Sequence, residues 1–71
     1  MSTNAPSLAD VVLQRVANRT GRRVRDLVVE VGPDRVTIRG RSPSFHVKQL
    51  AQQGVQEILP HARLENAIVV E

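Results

Sequence analysis

Val47, Leu50, Ala51, Gly54, Val55 and Ile58 recur at steps of three and four residues, which gathers them on one side of an α-helix. Such a helix gains most of its stability by burying its apolar stripe, so the rest of the chain must supply a face to cover it. The means are few. With 71 residues there is room for one domain, and with no cysteine neither a disulfide framework nor a thiolate metal site can reinforce it. A hydrophobic share of 41% and a charged share of 24% are globular values, so the fold must rest on one small apolar core, with oligomerisation as a further source of burial.

The covering face can be read from the remaining periodicities. Ser7 with Asp10 three residues later approximates a capping box, and Leu8, Val11, Val12, Val16 and Ala17 form a stripe that predicts a first helix. Gly21 supplies the left-handed residue that ends it. From Val24 to Val31 the period becomes two, with Leu27, Val29 and Val31 on one side and Asp26, Val28 and Glu30 on the other. Gly32-Pro33-Asp34 is turn chemistry, and alternation resumes from Arg35 to Arg39 through Val36 and Ile38, which predicts an antiparallel hairpin. Its outer face would pair Arg35 and Arg39 with Asp26 and Glu30.

Ser42-Pro43 has the form of an N-cap followed by proline at the first helical position, opening the second helix there. Gly54 costs about 1 kcal/mol of helix propensity relative to alanine, which predicts a close backbone neighbour, placed near Ala17. Pro60 ends the helix, and Arg63 to Val70 is a last strand with Leu64, Ile68 and Val70 on one face. A crossover helix between the second and third strands makes those two parallel. The expected architecture is an α+β domain over residues 7–71, in the order α-β-β-α-β, with a three-stranded mixed sheet and two helices packed on one face. Residues 1–6 form a disordered arm.

The segments Arg35-Val-Thr-Ile-Arg-Gly-Arg-Ser-Pro-Ser, Val47-Lys-Gln-Leu-Ala-Gln-Gln-Gly-Val and Leu64-Glu-Asn-Ala-Ile-Val-Val together resemble a BON domain, the bacterial module named for osmotically induced and nodulation proteins. Gly40, Leu50, Ala51, Val55, Asn66, Ile68 and Val70 carry the likeness, which spans residues 24–71. The resemblance implies a non-enzymatic module that binds phospholipid surfaces or other macromolecules. Many members are exported and carry the domain in tandem. This sequence holds one copy, and Met1 to Pro6 lacks the basic and apolar regions of a secretory signal, so as given a soluble, cytoplasmic chain is expected, or an envelope protein if a longer parent was trimmed.

Net charge is +3, which permits an anionic partner without demanding one. Two groups of residues could receive phosphate oxygens, which guanidinium forks suit. One is Arg15, Arg19, Arg22, Arg23 and Arg25 around the end of the first helix. The other is the turn Arg39, Arg41, Ser42 and Ser44, where a helix N-terminus would add its N–H groups. The plain alternative is, for the first group, a solvated surface that complements the helix dipole and pairs with Asp26 or Glu30, and, for the turn, a capped helix with two surface arginines. Phe45, the single aromatic residue, lies off the helical stripe and would suit a membrane interface, a partner pocket or a staple at the helix start.

No feature points to catalysis or to a cofactor. His46 and His61 stand alone, without an acidic cluster or a second histidine at metal-ligand spacing, and there is no Gly-rich phosphate loop or Gly-x-Ser-x-Gly elbow. The leading expectation is an interaction module binding an anionic phospholipid surface or a protein partner through its arginines. A self-associating homo-oligomer using the outer sheet face (Val28, Thr37, Ala67, Val69) or the sheet edges stands beside it. A KH-like nucleic-acid binder is a third option, opposed by the missing Gly-x-x-Gly clamp and the lack of Tyr and Trp for base stacking.

Overall fold

The computed structural model describes residues 7–71, and the arm expected at residues 1–6 lies outside them. The element order is α1 (Leu8–Arg19), β1 (Arg25–Val31), β2 (Arg35–Ser42), α2 (Phe45–Ile58) and β3 (Arg63–Val70). The sheet runs β1-β2-β3, with β1 antiparallel and β3 parallel to the central β2. The helices lie side by side on one face, α1 above β1 and α2 chiefly above β3. This is the α+β arrangement the periodicities predict.

Local chemistry explains the boundaries. The Asp10 N–H donates to Ser7 Oγ at 3.2 Å and the Ser7 N–H to Asp10 Oδ2 at 3.3 Å, so the capping box forms with Asp in the usual Glu position. After α1 the buried Thr20 turns its hydroxyl back to the Val16 carbonyl at 2.8 Å, and Gly21 adopts φ +63°. Arg22 follows at φ +59°. The start of α2 differs from the expectation: Ser44, not Ser42, is the N-cap, and its Oγ accepts from the Val47 N–H. Ser42 is instead the last residue of β2, buried, with its hydroxyl donating to the Ser44 carbonyl and accepting from the Ser44 N–H. A strand that continues past Gly40 delays the helix by two residues.

The core consists of Val12 and Val16 from α1, Val36 and Ile38 from β2, Ala51 and Val55 from α2, and Ile68 from β3, each at most 1% exposed. Valine is a poor helix former, so its use in α1 shows packing overriding propensity. Several stripe residues sit farther out than the pattern suggests: Leu8 and Val11 are exposed, and Ala17, Leu50 and Ile58 are half-buried.

One irregularity reshapes the sheet. Arg25 pairs with Arg41 and Val28 with Arg39, leaving Asp26 and Leu27 both opposite Gly40. That is a β-bulge, and it makes Asp26 take φ +54°. Strict alternation would put Arg25 inside with Leu27. The extra residue turns Arg25 to the outer face and lets Val24 pack against the core. Gly40 is required there: it sits at φ +154°, and a Cβ would meet the Arg25 carbonyl oxygen and Val24 Cγ1 at 2.8 Å each.

Candidate functional site

The bulge, the left-handed turn after α1 and the end of β2 meet at one end of the sheet. There Arg22, Arg23, Arg25 and Arg41 border an open basin of about 480 Å³, with Ser42, Pro43 and Glu71 completing its wall. Arg22 reaches it because Gly21 and Arg22 both take positive φ, a conformation a non-glycine residue adopts at a cost of about 1 kcal/mol or more. Arg23 is steadied by its Nε, which donates to the Thr20 carbonyl at 3.1 Å. Arg25 and Arg41 stand directly opposite each other on neighbouring strands, an arrangement that disfavours two like charges.

The compensation is incomplete. Arg41 makes ion pairs with Asp26 at 3.2 Å and with Glu71 at 3.9 Å. Among the described residues, Arg22, Arg23 and Arg25 have no carboxylate within 4.0 Å. Four arginines therefore share one concavity with a single carboxylate, Glu71, in its wall. Such a set presents forked donors to an incoming anion, and phosphate oxygens match them bidentately.

The residues singled out from the sequence divide between this basin and elsewhere. Arg22, Arg23, Arg41 and Ser42 are brought together there. Arg39 lies on the outer sheet face against Glu30 at 3.6 Å. Arg19 turns to α2, bonding Gln53 at 3.0 Å and Glu57 at 3.4 Å, where Arg15 joins it at 2.8 Å from Glu57. These two hold the helices together rather than bordering the basin. Ser44 is committed to capping α2, and Phe45, 62% exposed, borders a separate groove beside Gln49 and Gln52. Arg35 pairs with Glu65 of β3 at 4.0 Å, not with the hairpin partners expected for it.

Pro43 and the placement of Arg25 beside Arg41 are what sequence reasoning missed. Arg25 carried a usable signal: a charged residue at an apolar position of the alternation, opposite a glycine, marks a bulge. The outer sheet face adds a second element. Val28 and Val69 are 46% and 58% exposed, and they flank Arg39 and Arg41 in the paired register. Guanidinium and aliphatic groups thus alternate across a face that no helix covers.

His46 and His61 are exposed, and no group of three or more His, Cys, Asp or Glu capable of holding a metal ion occurs among the described residues. No helix there is long and apolar enough to cross a membrane. No family model, curated protein or solved structure matches this chain, so the BON resemblance rests on its residues and their order alone.

Proposed function

We propose that this chain is a non-catalytic, BON-like module that docks on anionic phospholipid surfaces by receiving headgroup phosphates in the basin of Arg22, Arg23, Arg25 and Arg41. The observation that carries this reading is the pairing of Arg25 against Arg41 across adjacent strands with Arg22 and Arg23 beside them. A fold that places like charges together is relieved when an anion settles between them. A membrane is favoured over a soluble phosphate compound by the bare sheet face, where Val28 and Val69 stand among arginines and can enter the headgroup boundary while the charges meet phosphates.

The test is co-sedimentation with phosphatidylglycerol-containing and pure phosphatidylcholine vesicles at two salt concentrations, with inorganic phosphate titrated in parallel by amide NMR. The reading expects pelleting with the anionic vesicles alone, reduced by salt and lost in the Arg25→Ala/Arg41→Ala double variant. Phosphate shifts confined to the basin without pelleting would assign the site to a soluble phosphate or a phosphorylated protein. Neither pelleting nor basin shifts would overturn the reading.

A further inference from the structure

We infer that two copies of this chain associate through their β3 edges in one antiparallel register, with a two-fold axis at Ala67. Asn66 then faces the partner's Ile68, Leu64 its Val70 and Arg63 its Glu71. The inference meets the arginine basin only at Glu71, which lines it and pairs with Arg41 at 3.9 Å.

The edge is open except at one amide. β3 has β2 on one side and, among the described residues, no strand on the other. The Arg63 N–H donates to the Asp34 carbonyl and the Glu71 N–H to the Ser42 carbonyl, so the odd-numbered residues turn their backbone groups inward to the sheet. Strand geometry then turns those of Leu64, Asn66, Ile68 and Val70 outward. At the centre of the edge the Ile68 N–H donates to Oδ1 of Asn66 in the same strand at 3.2 Å, a bond that pairing must exchange for the partner's Asn66 carbonyl, and Asn66 Nδ2 donates to the Lys48 carbonyl. One side chain covers one amide. The other devices that guard edges are missing: no Pro or Lys interrupts Arg63–Val70, and the pairing with β2 runs from Arg63 to Val70 without a bulge.

The occupant follows from symmetry and charge. A two-fold axis normal to the sheet keeps both outer faces on one side, so odd residues must face odd residues and the outward even residues exchange the bonds. An axis at Glu65 sets that carboxylate against its own copy, and an axis at Ile68 sets Glu65 against Glu71. Both repel. An axis at Asn66 sets Arg63 against Val69 and gains no ion pair. An axis at Ala67 puts Arg63 against Glu71 twice, with Glu65 beside Val69, and places alanine against alanine at the closest, non-hydrogen-bonded position. Among the described residues Arg63 has no ion-pair partner of its own chain.

The helix side of the edge fits a second copy as well. Val70 is 42% exposed and would meet the partner's half-buried Leu64, removing apolar surface from water. The groove between α2 and β3, about 280 Å³, is bordered by Phe45, Lys48, Gln49, Gln52, Gln56 and Asn66. Neutral amides both donate and accept, so they can face their own copies without repulsion. Joining the edges would yield one six-stranded sheet carrying four helices on one side.

The chain has no cysteine, so Ala67→Cys creates a single thiol, and the inferred axis would bring two such residues to about 4.5 Å between Cα atoms, within disulfide reach. Light scattering of the wild-type chain over a concentration series should show a monomer–dimer equilibrium. Mild oxidation should convert A67C to covalent dimer at least tenfold faster than V28C, whose thiol lies on the far strand. R63E should weaken association roughly tenfold by exchanging attraction for repulsion at two pairs. A monomer at every concentration up to the millimolar range overturns the proposal. So does a dimer in which A67C links no faster than V28C or in which R63E associates as tightly as the parent. Far-ultraviolet circular dichroism confirms that each variant is folded, and the wild-type mass tests the proposal whichever variants fold.

Discussion

A Cβ placed on Gly54 of α2 would stand 3.2 Å from the Cα of Val16 in α1, so the two helices touch backbone to backbone at this point. Gly54→Ala would gain about 1 kcal/mol of helix propensity but must push the helices apart, an overpacking cost of about 1–3 kcal/mol. The atoms in the way belong to the backbone, which cannot step aside as a side chain can. The variant should be less stable by about 1 kcal/mol, seen as a lower urea midpoint at unchanged slope. A raised midpoint would show that the contact relaxes freely.

Gly40→Ala should be more damaging. Here the added methyl meets the Arg25 carbonyl oxygen at 2.8 Å, and the backbone stands at φ +154°, which a side chain rarely tolerates. A loss of about 3 kcal/mol is expected, combining strain and overpacking. Because Gly40 holds the bulge, amide spectra of any folded fraction should change most around Val24–Leu27. A stable variant with unchanged spectra there would mean that the bulge does not depend on the glycine.

Those two glycines illustrate how far the residues alone can be read. A glycine inside a helical stripe announced a close neighbour, and Val16 lies one residue from the position expected near Ala17. The element order, the outer ion pair of Arg39 with Glu30 and the exposure of Phe45 followed from periodicity in the same way. The bulge did not. A periodic reading carries each strand forward in one phase, whereas an inserted residue inverts everything before it, so the meeting of Arg25 with Arg41 was out of view. The basin joins residues from a turn, two strands and the loop before α2, and only the register brings them together.

Burial also separates two substitutions that the stripe alone treats as equal. Val55 is 1% exposed among core valines, so Val55→Asp buries an unpaired carboxylate and should abolish cooperative unfolding. Leu50 is half-buried at the flank, and Leu50→Asp should leave a folded protein weaker by about 1–2 kcal/mol. Thermal melts followed by circular dichroism distinguish the two. Equal loss in both would place Leu50 deeper in the core than this packing allows.

The opposition of Arg25 and Arg41 makes a prediction in which stability and binding move in opposite directions. Arg25→Glu replaces a repulsive cross-strand pair with an attractive one, so the variant should be more stable than the parent by about 0.5–1 kcal/mol at low salt. The same change removes two positive charges' worth of field from the basin and sets a carboxylate where a phosphate would sit, so affinity for anionic vesicles should fall at least tenfold. A residue kept only to solubilise the surface would show neither effect in this combination. Urea unfolding with and without added inorganic phosphate reads both: phosphate should raise the midpoint of the parent, because a ligand of the folded state stabilises it, and should leave the variant unmoved. If Arg25→Glu lowers stability, the arginine has a packing role that outweighs repulsion, and if phosphate stabilises both chains equally, the anion binds somewhere other than beside Arg41.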